Sequence, residues 1–216
     1  MVKVKSSKGA GMDQVKLLVY GAAGVGKTVL CSTAPNPVII SAEKGLLSIA
    51  DKDVAIIEVT CIRELQQAFD IVKKGEWETV CLDSISEIAE VVLAEYKSLV
   101  NDGRQAYGQL NDEMSKIIRQ FRDLDKNVVL TAKELRDEGN SGGTYSRPSM
   151  PGKTLTGSVP YFFDLVLYMK SAKDKRVLYT RDSFTYNAKD RSGKLDDKED
   201  PNLTQLFAKV KKHGNS

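Results

Sequence analysis

The chain has 216 residues, of which 28% are charged and 41% hydrophobic, with a formal net charge of +3. This size and composition predict one globular domain with a substantial core, and the small net charge excludes binding of nucleic acid through the whole surface. No apolar run approaches the roughly 20 residues that a membrane span requires, so we expect a cytoplasmic protein without membrane contact.

Strands and helices alternate along most of the chain. We expect residues 1–13 to form a flexible basic tail, because their lysines precede no apolar segment of the secretory type. Apolar runs then predict strands at Val15–Tyr20, Val38–Ser41, Val54–Val59, Thr79–Leu82 and Asn127–Thr131. Helical spacing predicts helices at Lys27–Ser32, Ile62–Lys73, Ile85–Leu99 and Leu110–Leu124. The alternation predicts an α/β fold with mostly parallel strands joined by crossover helices.

The pattern changes after Ala132. Residues Asp137–Gly157 are rich in Gly, Ser and Pro without apolar periodicity, which indicates a long loop. Tyr161–Met169 and Arg176–Thr180 follow as strands close enough in sequence to form an antiparallel hairpin. We therefore predict one domain over residues 14–195 and a charged tail over 196–216 with a short helix at Leu203–Val210.

A phosphate-binding motif follows the first predicted strand. The segment Gly21–Thr28 matches G-x-x-x-x-G-K-[ST], in which glycines turn backbone N–H groups toward phosphate oxygens. Lys27 is expected to contact the β- and γ-phosphates of ATP, and the Thr28 hydroxyl to coordinate Mg²⁺. The predicted nucleotide-binding residues are Gly21, Ala22, Ala23, Gly24, Val25, Gly26, Lys27, Thr28 and Val29.

Two acidic positions complete the predicted chemistry. Asp83 ends a hydrophobic strand, where a carboxylate holds the Mg²⁺ shell. Glu43 follows Val38–Ser41, the strand expected beside the phosphate-loop strand, and is our candidate base for the attacking water. The alternative is a Glu that only opens a helix at residues 44–49, and Glu87 is the reserve candidate for the base.

Three cations are further candidates for catalysis. Lys133 closes the strand Asn127–Thr131, where it is either a γ-phosphate sensor or an exposed lysine. Lys189 and Arg191 are alternate residues of an extended segment and project to one side, which would suit a clamp on the phosphate of a neighbouring subunit. Their spacing alone favours a solvated charged turn.

Two segments combine cations with aromatic residues, as single-stranded nucleic acid sites do. The alternative is a mobile lid without a nucleic-acid role. The predicted DNA-binding residues are Arg104 and Tyr107 in the loop Asn101–Gln109, and Arg136, Tyr145, Arg147 and Lys153 in the loop over residues 136–156.

The order of these motifs resembles a three-layer RecA-like P-loop NTPase core. Ser41-Ala42-Glu43, Leu82-Asp83-Ser84, Thr131-Ala132-Lys133 and the Lys189–Gly193 element follow the phosphate loop in the order found in RecA relatives. Through Leu18–Cys31, Asn127–Glu134 and Ala188–Leu195, the chain is similar in particular to phage AAA-type nucleotide-binding proteins, including the Sak-type single-strand annealing ATPases. This resemblance implies single-stranded DNA, a single-strand-binding protein and a homo-oligomeric ring or filament as partners. The resemblance also favours the role of Lys189 and Arg191 as a phosphate clamp over the interpretation as a solvated charged turn.

Two other functions remain open on the sequence. A helicase loader or replication accessory ATPase would depend on a protein partner more than on DNA. A small-molecule kinase would use the Gly/Ser-rich segment as a catalytic lid. Such lids carry arginines, and Arg147 is the only arginine between residues 137 and 157, which argues against this function.

Overall fold

The computed structural model describes residues 13–43, 46–138, 143–172 and 175–211. The predicted basic tail therefore lies, except for Asp13, outside the described residues. The strands are β1 Lys16–Gly21, β2 Pro37–Ser41, β3 Ala55–Glu58, β4 Thr79–Asp83, β5 Asn127–Glu138, β6 Thr144–Ser149, β7 Leu165–Ala172, β8 Lys175–Tyr179, β9 Lys189–Asp190 and β10 Lys198–Glu199. The helices are α1 Lys27–Cys31, α2 Ile62–Lys74, α3 Ile85–Leu99, α4 Gly103–Arg122, α5 Lys153–Ser158 and α6 Leu203–Lys211, with 3-10 helices at Leu46–Ile49 and Val159–Phe162.

The strands form one sheet in the order β10-β8-β7-β1-β5-β4-β2-β3, with β6 on the end of β5 and β9 beside β7. Neighbouring strands in the run β7-β1-β5-β4-β2-β3 pair in parallel, whereas β7 and β8 form an antiparallel hairpin. The predicted α/β fold with a mostly parallel sheet and a C-terminal hairpin is confirmed. The expectation that β2 lies beside the phosphate-loop strand β1 is wrong, because β4 and β5 separate the two strands.

Helices cover both faces of the sheet, which explains the continuous apolar runs of its central strands. Successive side chains of β1 enter opposite cores: Leu18 and Tyr20 pack with residues of α2, α3 and α4, while Leu17 and Val19 pack with residues of α1 and α6. The result is a three-layer molecule. Within the described part of the chain, no helix combines the length and apolar character needed to cross a membrane.

Two predicted loops differ from their predicted structure. Residues 101–109 are not a loop, because Asp102 caps α4, which already begins at Gly103. Most of the predicted 137–157 loop is ordered as β6, paired antiparallel with the end of β5, and as α5, while residues 139–142 lie outside the described part. Periodicity missed the hairpin because its strands are polar and partly exposed.

The predicted charged tail also belongs to the folded core as far as residue 211. β10 extends the sheet beside β8. The apolar face of α6 is buried on the sheet through Leu203, Leu206, Phe207 and Val210. Burying one apolar side chain stabilises the fold by roughly 1.5–3 kcal/mol, whereas charged side chains that stay exposed to water cost little on folding.

Candidate nucleotide site

The phosphate loop lies between β1 and α1 and needs glycine at three positions, for two different reasons. Gly24 and Gly26 have φ angles of 73° and 102°, in the left-handed region that side-chain-bearing residues rarely adopt. At Gly21 the obstacle is space, because a Cβ there would lie 2.3 Å from the carbonyl oxygen of Met169 on β7. The loop is therefore packed directly against the neighbouring strand.

Lys27 lies at the start of α1, and its side chain folds back over the loop. Its Nζ donates hydrogen bonds to the carbonyls of Gly21 and Ala22, at 2.9 and 3.0 Å. Burial lowers the pKa of Lys27, and the nearby carboxylates of Asp83 and Glu43 offset this only in part. The ammonium is thus held in a partly desolvated position, where its attraction to a phosphate is stronger than in water.

Thr28 and Asp83 form the candidate magnesium pair. The Thr28 hydroxyl donates to Asp83 Oδ2 at 2.6 Å, and Thr131 on β5 holds the other carboxylate oxygen at 2.5 Å. Magnesium in nucleotide sites takes oxygen ligands from one or two side chains and from the phosphates, so this donor set fits Mg²⁺. In the described residues there is no cluster of three or more His, Cys, Asp or Glu side chains for another metal site.

Glu43 reaches the same site although β2 is not the neighbour of β1. The Ser84 hydroxyl donates to Glu43 Oε1 at 2.8 Å, and Ser84 also caps α3 by accepting from the Glu87 N–H at 3.3 Å. Strands β2 and β4 are adjacent, with Ser41 in register with Asp83. Because parallel strands end at one edge of a sheet, Glu43 and Asp83 meet there.

Lys133 lies in register with Gly21 on the neighbouring strand β5. Its ammonium forms an ion pair with Glu87, which raises the pKa of Lys133. Its backbone N–H donates to Ser86 Oγ at 2.9 Å. Glu87, the reserve base, is therefore engaged by a cation, whereas Glu43 accepts from a neutral hydroxyl.

These residues enclose one cavity of about 550 Å³. Among the predicted nucleotide-binding residues, Gly21 and Ala22 contribute carbonyls to Lys27, and Val25 is buried in the core beneath α1. Predicted residues that line the cavity are Ala23, Gly24, Gly26, Lys27, Thr28, Val29, Glu43, Asp83 and Lys133, and the lining also includes Ser48, Glu134 and Arg176.

Sequence reasoning missed Glu134 and Arg176. The Glu134 side chain is only 4% exposed and accepts hydrogen bonds from Ser146, Tyr168 and Arg136 at 2.6 to 2.9 Å. Burial alone would raise the pKa of Glu134, but these hydrogen bonds lower it overall. Its position directly after Lys133 was an available signal, whereas nothing local marks Arg176 among the charged residues of its hairpin.

Lys189 and Arg191 do not line this cavity. β9 pairs with Leu165 and Val166 of β7, which align with Leu17 and Leu18 of β1. That position is three to four residues before Gly21, or about 10–13 Å at 3.3 Å per residue. Lys189 Nζ donates to the Pro160 carbonyl at 2.8 Å, and the exposed Arg191 lies 3.3 Å from Asp164.

The predicted DNA-binding residues fall into three places. Tyr145, Arg147 and, unexpectedly, Lys189 line a second cavity of about 350 Å³, together with the 79% exposed Tyr161. Arg136 lies beside a third cavity with the partly exposed Tyr179 and Tyr186. Arg104, Tyr107 and Lys153 are exposed near the starts of α4 and α5, where the Tyr107 ring lies over Gly152.

A phosphate loop on β1, a metal-site carboxylate on β4 and a candidate base after β2, gathered in one cavity of a mostly parallel sheet, define a P-loop ATPase. The sequence profile of the AAA domain matches residues 13–192, and the chain belongs to that family. The predicted ATPase activity is confirmed at this level.

Among solved structures, the chain is similar to a KaiC-like protein from the hyperthermophilic archaeon Pyrococcus horikoshii. The two share 15% sequence identity, with 76% of this chain and 77% of that chain covered and a TM-score of 0.39. No curated protein matches the chain.

Proposed function

We propose that this ATPase is a RecA-like protein that binds single-stranded DNA and couples that binding to ATP hydrolysis. One observation carries the proposal: β5 joins the nucleotide cavity to the predicted DNA-binding hairpin without interruption. Lys133 and Glu134 line the nucleotide cavity, and three residues further the same strand pairs with Tyr145 at Asp137. A displacement of the hairpin by DNA therefore acts directly on residues of the ATP site.

The second cavity has the chemistry of a nucleobase site. Tyr145 and the exposed Tyr161 offer aromatic faces for stacking, and Arg147, which is ion-paired with Asp137, supplies a guanidinium. The one carboxylate among its lining residues, Asp182, accepts a hydrogen bond from the Ala188 N–H at 3.2 Å and lies 3.4 Å from the Tyr145 hydroxyl. Stacking combined with backbone neutralisation favours single strands, whose bases are accessible.

At the ATP site, the chain's own residues divide the work of hydrolysis. The phosphate loop and Lys27 bind the β- and γ-phosphates, and Thr28 and Asp83 would hold Mg²⁺, which spreads the developing charge on the phosphate oxygens. Glu43, oriented by Ser84, accepts the proton of the attacking water. Lys133 lines the nucleotide cavity. As a γ-phosphate sensor it would exchange its ion pair with Glu87 for the phosphate and so report the nucleotide state to β5.

The resemblance to phage annealing ATPases extends this proposal to biological context. It suggests pairing or annealing of complementary strands in the host cytoplasm, together with a single-strand-binding protein. It also suggests a homo-oligomer in which Lys189 and Arg191 complete the ATP site of a neighbour. Their distance from their own phosphate loop and the exposure of Arg191 support an action between subunits.

The test of DNA coupling is ATP turnover with and without single-stranded DNA over a series of salt concentrations. We expect DNA to stimulate turnover and rising salt to weaken the stimulation, because phosphate contacts release counterions. Tyr145→Ala should weaken DNA binding by about 1–3 kcal/mol through the loss of one stacked base. Arg147→Ala should lower the slope of binding against salt by about 1.

Arg122→Ala is the matched control, because Arg122 lies at the end of α4 and pairs with Asp123, away from the hairpin. It should keep both DNA binding and stimulation. If DNA changes turnover at no salt concentration, the coupling proposal is wrong and an accessory ATPase with a protein partner becomes the better interpretation.

Arg191→Ala tests the shared active site. We expect ATP binding to persist while turnover falls by about tenfold or more, because a cation facing the transferred phosphate is lost. Mixing Arg191→Ala with Lys27→Ala should restore turnover, since a mixed interface pairs an intact phosphate loop with an intact Arg191. Normal turnover of Arg191→Ala with DNA present, or no recovery on mixing, would contradict the proposed interface.

A further inference from the structure

Arg176 places a second basic side chain over the phosphate loop of its own chain. It lies on β8, and its guanidinium lines the nucleotide cavity together with Lys27 and Gly26. A Cβ on Gly26 would lie only 2.8 Å from both Cζ and Nη1 of Arg176. The guanidinium therefore occupies the space that the glycine leaves open.

The β7–β8 hairpin fixes this position. Ser171 pairs with Arg176 across the hairpin, and the carbonyl of Met169 on β7 packs against Gly21 at the start of the loop. The backbone of the hairpin is thus docked on the phosphate loop at one end while Arg176 covers it at the other. Such a fixed approach lowers the entropy lost when the side chain binds a ligand.

Several arginines of the chain are engaged by carboxylates, whereas Arg176 is not. Arg136, Arg147, Arg181 and Arg191 each form an ion pair with a carboxylate. Within the described ranges, Arg176 makes neither an ion pair nor a hydrogen bond, although it faces a cavity. Its donors are therefore free for a ligand.

The charges of the cavity indicate which ligand these donors suit. The Lys133 ammonium is already paired with Glu87, and Lys27 contacts backbone carbonyls. A bound triphosphate brings several negative charges, and a guanidinium matches two phosphate oxygens with parallel donors. We propose that Arg176 binds the phosphate chain of the nucleotide in its own subunit, as a residue distinct from the Lys189 and Arg191 pair that is proposed to act between subunits.

The test measures equilibrium binding of Mg²⁺–ATP without DNA, and competition by inorganic tripolyphosphate, for Arg176→Ala and Arg176→Gln. We expect both substitutions to weaken ATP binding by about tenfold to a hundredfold, as the loss of charged hydrogen bonds does. Tripolyphosphate should lose the same factor, because the contact is to phosphate. Arg176→Lys should lose less, since it keeps the charge without the paired donors.

Lys175→Ala is the matched control, because neighbouring residues of a strand point to opposite faces and Lys175 does not line the cavity. It should bind ATP as the unaltered protein does. Unchanged or tighter ATP binding by Arg176→Ala and Arg176→Gln would overturn the proposal, the tighter binding indicating a side chain that blocks the cavity. Weaker ATP binding without a loss for tripolyphosphate would also overturn it. Because DNA is absent from this assay, its failure leaves the proposed DNA coupling untouched.

Discussion

Replacing Lys27 with alanine is expected to lower ATP turnover by about 10²- to 10³-fold, equivalent to about 3–4 kcal/mol of transition-state stabilisation. The Lys27 ammonium is partly desolvated, lies over the phosphate loop and faces the same cavity as Asp83 and Glu43. Charge that develops on the transferred phosphate would meet this cation in a medium of low dielectric constant. Phosphate release at saturating Mg²⁺–ATP measures the effect, and a parallel binding titration separates it from loss of ATP affinity.

Lys116→Ala is the control for this substitution. Lys116 lies on α4 with 60% of its side chain exposed and only a 3.7 Å contact to Glu113. A surface ion pair of this kind contributes at most about 1 kcal/mol to stability, so turnover should be unaffected. Turnover of Lys27→Ala close to that of Lys116→Ala would show that hydrolysis does not depend on this phosphate loop.

The second large effect is expected for Glu43→Gln, which should retain ATP binding and lose about 10²-fold or more in turnover. The glutamine keeps an oxygen that can accept the hydrogen bond from Ser84, so the local structure should be preserved. It cannot accept the proton of the attacking water. Single-turnover phosphate release on preformed complexes measures the chemical step apart from binding.

Glu87→Gln distinguishes the two candidate bases. Glu87 is held in an ion pair with Lys133 and does not line the cavity, so its substitution should change turnover by only a few-fold. The opposite ranking, with Glu87→Gln inactive and Glu43→Gln active, would transfer the role of base to Glu87. Equal and small effects for both would place the base elsewhere.

The nucleotide site shows how far local sequence can carry a prediction. The phosphate loop is contiguous and its geometry depends on glycines at fixed spacing, so Gly26, Lys27 and Thr28 were recognisable before any fold was known. Asp83 and Glu43 were found because strands that end at one edge of a parallel sheet bring their following residues together. That reasoning reached the correct cavity even though it placed β2 beside the wrong strand.

The predicted loops failed for a different reason. Strand β6 is polar and half-exposed, so it lacks the apolar alternation that predicts a strand. It is stabilised instead by backbone pairing with β5 and by side-chain hydrogen bonds such as that from Ser146 to Glu134. The N-terminal turns of α4 also escape prediction as a helix, because Ala106 is the one buried residue among positions 103–109 and the other buried positions begin at Leu110.

By itself, the sequence determined the parallel α/β sheet, the C-terminal hairpin and the nature of the phosphate site, because apolar periodicity and a contiguous motif are local properties. Only the tertiary structure decided that α6 completes the core, that Lys189 lies with Tyr145 and not with its own phosphate loop, and that Arg176 covers Gly26. Those arrangements depend on strand register and on the packing of distant segments. Gly26 and Arg176, for example, are 150 positions apart and come into contact only when the sheet has formed, so no local sequence pattern indicates their contact.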